Sequence, residues 1–201
     1  MNYLIFDTET TGLPINWKAP MKDIANWPRV IQLAWMLTDA NGIELNRGRH
    51  LIKPDGWTMP AGQFWVDNGF SHEKSMQDGI PIETAMDLFI ADLNESSCLV
   101  SHNMSFDYNV LGAEMIRAGK RGKQVLKICT KEFGTDVCQI PGNYGSFKWP
   151  KLIELHHFLF NTGFENAHDA LADVIACKDC FFELMKRQVI TIKELKNTQP
   201  S

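Results

Sequence analysis

The sequence predicts an α/β fold built on a mixed five-stranded sheet flanked by helices. Two observations predict it. Strand-like runs dominate the first fifty residues, before any long helical pattern appears. From residue 81 onward the periodicity alternates helix, strand, helix, strand and then helices. No internal repeat or low-complexity segment breaks this order.

Residues 2 to 7 form an apolar run that delivers Asp7 at its end, as a buried strand would. Arg29 to Thr38 reads as a second strand. Asp39-Ala40-Asn41-Gly42 carries the Asn-Gly hairpin signal, and Ile43 to Ile52 returns as a third strand stopped by Lys53-Pro54-Asp55-Gly56. The first three strands are therefore expected to be antiparallel. Asn16 to Trp27, between the first two strands, reads as loop or short helix, and Gly62 to Asp78 as short helix and loop. Pro81 opens a helix to about Asn94, with Ile82, Ala85, Met86, Phe89, Ile90 and Leu93 at helical spacing. Cys98 to Ser101 is a short strand, followed by a helix to Ala118 that Gly119 closes. Val125 to Cys129 is the fifth strand. Pro141 to Gly145 marks a loop, and helices follow at about Pro150 to Phe160 and His168 to Gln188. One domain over residues 1–187 with a short tail at 188–201 is the expected organisation.

The bulk numbers agree with a single core. The chain has 201 residues, 44% of them apolar, and its twelve Phe and six Trp supply enough buried area without a structural metal or disulfide. Five cysteines, with no basic or apolar leader at the N-terminus, read as reduced thiols in a cytoplasmic protein. No stretch reaches the roughly 18 apolar residues a membrane helix needs, so no membrane partner is expected. The net charge of −4 argues against a protein that coats duplex DNA by neutralising phosphates. It leaves room for an enzyme that meets phosphate through bound cations.

Asp7-Thr8-Glu9 places two carboxylates at positions i and i+2, which share one face of a strand. Two like charges there are costly unless a cation neutralises them. The plain alternative is a turn or helix cap, since Asp and Thr favour both. Asp107 lies near a helix start, where the helix dipole favours an acid in any case. Asp173 decides between the readings. It sits inside the last helix with Ala170 and Cys177 at close spacing, so the helix can approach the sheet and the carboxylate loses water unless it is paired or binds metal. Asp169 is the better cap candidate. The oxygens of Asp7, Glu9, Asp107 and Asp173 are hard ligands suited to Mg²⁺ or Mn²⁺, and two such ions clamp the attacking and leaving oxygens of a phosphoryl transfer. His168 can accept the proton of an attacking water.

Three segments, in order, resemble the motifs of the DEDDh 3′→5′ exonucleases, the family that includes the proofreading subunit of bacterial replicative polymerases. They are Phe6-Asp7-Thr8-Glu9-Thr10-Thr11-Gly12-Leu13, His102-Asn103-Met104-Ser105-Phe106-Asp107 and His168-Asp169-Ala170-Leu171-Ala172-Asp173. The resemblance spans residues 2 to about 185. It implies a ribonuclease-H-like fold, with Asp7, Glu9, Asp107 and Asp173 as ligands of two Mg²⁺ or Mn²⁺ ions and His168 as general base. It implies a nucleic acid with a free, single-stranded 3′ end as partner, DNA in the favoured case, and nucleoside 5′-monophosphate as product. Thr8, Leu13 and Phe106 would contact the terminal nucleotides, with Phe106 equally readable as core. A free-standing exonuclease and a subunit held by a DNA polymerase both remain open.

Other signals have plainer readings. Cys177-Lys178-Asp179-Cys180 lacks the second pair a structural zinc site needs and reads as packed thiols. His156-His157 reads as a core-edge or surface pair. Lys120-Arg121-Gly122-Lys123, with Lys127, reads as a solvated loop that could also touch phosphates. The aromatic loop Pro141 to Trp149 could pack or could shape a substrate groove. Two rival functions stand beside the exonuclease. A haloacid-dehalogenase-type phosphatase typically wants Asp where Glu9 stands and gives His168 and Asp173 no task. A module that binds strand ends without cutting finds no support, since all five chemical positions are filled.

Overall fold

The computed structural model describes residues 1–165 and 169–192. Its sheet has the order β3-β2-β1-β4-β5, with β1 at Tyr3–Thr10, β2 at Val30–Thr38, β3 at Glu44–Leu51, β4 at Cys98–Ser101 and β5 at Leu126–Cys129. β1, β2 and β3 pair antiparallel, whereas β4 and β5 run parallel to β1. The mixed five-stranded sheet expected from sequence is present. β1 continues three residues past the predicted end at Asp7, so Glu9 lies within the strand.

Seven α-helices surround the sheet among the described residues: α1 (Gln63–Asp67), α2 (His72–Asp78), α3 (Ile82–Glu95), α4 (Met104–Arg117), α5 (Thr130–Cys138), α6 (Leu152–Phe160) and α7 (Ala170–Lys186). Pro81 is the N-cap of α3 rather than its first helical residue. Sequence reading does not anticipate α5. Its apolar stripe is thin, and Gly134 weakens it as a helix former. That glycine lies against Leu155 and Pro150, where a side chain would crowd the packing.

Alternation along β1 builds two core layers. Leu4 and Phe6 face a layer with Phe89 of α3 and Val110 and Leu111 of α4. Tyr3 and Ile5 face the opposite layer with Leu155 of α6 and Val174, Cys177 and Phe181 of α7. β2 is buried at all nine positions, as expected of a strand covered on both faces. β3 is the edge strand beside it and turns Glu44, Asn46 and Arg47 to solvent, which discourages pairing with another chain.

Trp35 of β2 shows how tightly one layer is filled. Its indole N–H donates to Asp92 of α3 at 2.6 Å, and its ring meets Phe89 edge-on at 5.5 Å. The same ring lies against Gly48 of β3, where a Cβ would come within 2.3 Å. A buried indole held on both sides cannot step aside. Gly48→Ala is therefore expected to lower unfolding stability by about 1–3 kcal/mol, the usual cost of overpacking. Urea denaturation checks this, and an unchanged midpoint would show that the layer is looser than described.

Candidate active site

The acidic residues are brought together by strand alternation and by two helix starts. Asp7 and Glu9 continue the Tyr3–Ile5 side of β1, which faces α7, and Asp173 stands in the first turn of that helix. One carboxylate oxygen from each of Asp7, Glu9 and Asp173 lies within 4.8 Å of the others. Among the described residues this is the one cluster of carboxylate, thiol and imidazole groups spaced to hold a metal ion.

Asp107 arrives from the other layer. β4 ends at Ser101 and α4 begins at Met104, so the first turn of α4 caps the C-terminal end of the sheet. Thr8 points to that side, and its hydroxyl donates to Asp107 Oδ1 at 2.8 Å. The Ser101 hydroxyl donates to the other oxygen at 3.4 Å. Asp107 is almost wholly buried. The site thus lies at the C-terminal ends of parallel β1 and β4, where open sheets commonly bind ligands.

The electrostatics follow from this crowding. Burial raises the Asp7 carboxyl well above its usual range, and the charges of Asp107, Asp173 and Glu9 push it further. Burial, with Asp173, Asp107 and Asp169, lifts Glu9 to about 8. Asp107 is raised to about 7 by burial, against the opposing hydrogen bonds from Thr8 and Ser101. Without a cation these acids hold protons near neutrality. Hard oxygens crowded together in this way are chemically suited to a divalent ion such as Mg²⁺ or Mn²⁺. The group fits the site.

The remaining positions fall out as follows. His168 lies outside the described residues. Its neighbour Asp169 is the N-cap of α7, accepting from the Leu171 N–H at 3.2 Å, which matches the capping role read from sequence. Leu13 is exposed. Phe106 is half-buried against the core and against Trp17, at a ring separation of 5.7 Å. Cys177 and Cys180 are buried free thiols, and His156 and His157 lie at the surface edge of α6. Lys120 pairs with Asp87 at 2.6 Å and Lys123 donates to the Asn94 carbonyl at 2.5 Å, so two of the basic loop residues are tied to α3 and its C-terminal side. An apolar cavity of about 230 Å³, lined by Phe89, Leu93, Leu111 and Met115, contains none of the acidic residues.

The supporting roles of four residues escaped the sequence reading. Gln32, buried in β2, accepts from the Ala170 N–H at 2.9 Å, and Arg49 of β3 makes a two-bond ion pair with Asp169 at 3.0 Å. Both fix the start of α7 and so the height of Asp173 above β1. An amide inside an apolar strand was the available signal for Gln32. Ser101 supports Asp107 as described. His102 joins Thr130 Oγ1 through Nδ1 and the Pro150 carbonyl through Nε2, each at 3.0 Å. Burial holds its pKa down at about 4, so it is a neutral tie for the loop before α6.

Comparison with solved structures places this architecture. Exonuclease I of E. coli, solved with a dT13 oligonucleotide, superposes with a TM-score of 0.67 at 18% identity over 93% of this chain. This is a ribonuclease-H-like fold. The zinc-bound form of the E. coli exonuclease I–single-stranded DNA complex gives 0.65 at 22% identity. Exonuclease I from Methylocaldum szegediense gives 0.67 at 18%. The chain spans 41% of the length of each of these structures. No protein-family model matches the chain, and no curated protein matches it.

The raised carboxyls make a signed prediction for the metal-free protein. Below the unfolded value of 4.5 Glu9 is protonated in both states and contributes nothing. Between there and about 8 the folded state holds a proton that the unfolded state has lost, so stability falls as pH rises. Asp7 and Asp107 act in the same direction. Without divalent ions, the thermal midpoint is expected to be higher at about pH 5 than at about pH 8.5. Glu9→Gln should shrink the gap, and Mg²⁺ should close most of it at the alkaline end. A gap that neither change alters would place its origin outside this cluster.

Proposed function

We propose that the chain is a metal-dependent 3′→5′ exonuclease of the DEDDh type, removing nucleoside 5′-monophosphates from the 3′ end of a nucleic-acid strand, DNA in the favoured case. The observation that carries this reading is the convergence of Asp7, Glu9 and Asp173 within 4.8 Å, with Asp107 anchored beside them by Thr8. These four acids are scattered over more than 160 positions of sequence and have no structural reason to meet at one end of the sheet. The shared fold with exonuclease I, solved as a complex with single-stranded DNA, supports the substrate class.

Residues 1–187 form the catalytic domain in this reading, and 188–201 a short tail. Asp7, Glu9, Asp107 and Asp173 hold two Mg²⁺ or Mn²⁺ ions. Bound there, the ions supply charge neutralisation to the attacking and leaving oxygens of the phosphodiester. His168 accepts the proton of the attacking water, a task suited to an imidazole near neutral pH. The Thr8 and Ser101 hydroxyls keep Asp107 oriented. Leu13, standing free in solvent, and Phe106, beside Asp107, contact the terminal nucleotides together with Thr8. The reading accommodates both a free-standing enzyme and a polymerase-bound one.

A time course on 5′-labelled single-stranded DNA, duplex DNA and RNA tests the proposal. The expected result is a Mg²⁺-dependent ladder shortening one nucleotide at a time from the 3′ end. Asp7→Ala should reduce it to background, and His168→Ala should slow it by at least about a hundredfold. Binding without cutting would leave a strand-end binding module, and unaltered cutting by both variants would remove the site assignment.

A further inference from the structure

The loop between β1 and β2 has no part in holding the carboxylates, yet it is built with care. Thr11 N–H donates to the Arg29 carbonyl at 2.9 Å and the Arg29 N–H returns to the Thr11 hydroxyl at 3.0 Å, closing its neck. Asn26 exchanges two hydrogen bonds with Asn16 at 2.7 and 3.0 Å, and Ile15 N–H donates to the Asn26 carbonyl. Glu114 of α4 pins the neck through an ion pair to Arg29 at 2.8 Å. This bracing turns three large apolar side chains outward: Leu13 is 73% exposed, Ile15 85% and Trp17 54%. Apolar groups held rigidly in water mark a binding surface. Trp17 also leans on Phe106, the residue before Asp107.

A second exposed indole approaches the same helix start. Trp149, 65% exposed, closes the aromatic loop before α6, and the Lys131 ammonium sits 4.3 Å from its ring centre. That ammonium donates to the Asn103 side chain at the N-cap of α4. The Pro150 carbonyl, next in sequence to Trp149, is tied to His102. Tyr144 and Phe147 on this loop are exposed as well, so the loop presents its aromatics rather than packing them. Both indoles therefore reach the start of α4 that carries Asp107, Trp17 directly at Phe106 and Trp149 through Lys131 at the N-cap Asn103.

We propose that Trp17 and Trp149 stack on unpaired bases of the strand whose 3′ end enters the acidic cluster. This deepens the exonuclease reading and rests on it. The charge balance gives the reason. A chain of net charge −4 with a cluster of carboxylates at its centre cannot draw a strand by neutralising many phosphates. Base stacking on aromatic rings needs no charge and no sequence preference. It does need bases that are free of a partner strand, so the two indoles select single-stranded ends.

Binding of a fluorescein-labelled eight-nucleotide oligothymidylate, followed by anisotropy in an Asp7→Asn background with Mg²⁺, tests this. Trp17→Ala and Trp149→Ala should each weaken binding about tenfold, while Trp→Phe at either position keeps most of the affinity. The Phe variants also serve if an Ala variant does not fold. The slope of log affinity on log salt should correspond to no more than about two neutralised phosphates. Binding of a blunt duplex should be unchanged by either substitution. Ala variants that bind as tightly as their parent, or a steep salt slope, would overturn the proposal even where the wild-type chain cuts DNA. Failure of the wild-type chain to cut any strand would instead strike the reading on which it rests.

Discussion

Mutual repulsion among crowded carboxylates is the constraint on which the site turns. Asp7, Glu9 and Asp173 are close enough to share one ion, and Asp107 stands within electrostatic reach of Asp7 and Glu9. Left alone, such a group takes up protons or pushes itself apart. The fold holds it together instead. Its hydrophobic layers lie directly behind the cluster, so the carboxylates cannot retreat without disturbing Phe6, Val174 or Val110. Core packing supplies the force that the charges oppose.

Two features ease that opposition. Asp107 and Asp173 both lie in the first turn of a helix, α4 and α7, where the dipole favours negative charge. Two helix N-termini thus converge on one sheet end. The start of α7 is further docked to the sheet by Gln32 and Arg49, which bond to Ala170 and Asp169. These contacts come from β2 and β3, strands that carry none of the acids. The antiparallel half of the sheet positions the last helix, and the parallel half positions α4.

Much of this was legible in the residues because it depends on short-range rules. Alternation put Asp7 and Glu9 on one face, and the Asn41-Gly42 turn set the antiparallel pairing of β2 and β3. The strand order and the meeting of Asp173 with Asp7 depend on which layer each helix joins, and only the family resemblance carried that. α5 was illegible for a physical reason. Its buried residues are Thr130 and Gly134, so apolar periodicity had little to register. The docking of Gln32 was hidden because a single amide in a buried strand announces that it needs a partner without saying which one. Trp17 gave no sign at all. Its meaning comes from lying against Phe106, 89 positions away in sequence.

The four acids are not held alike. Asp107 is gripped by the hydroxyls of Thr8 and Ser101, which favour its charged form and fix its direction. What surrounds Asp7 and Glu9 most closely in charge is other carboxylates. The protein therefore orients one carboxylate in advance and leaves the others poised against one another. Because Thr8 stands between Asp7 and Glu9 on β1, any shift of the strand that relieves their repulsion also pulls on Asp107. Carboxylate orientation and the stability of β1 are consequently one coupled equilibrium rather than two.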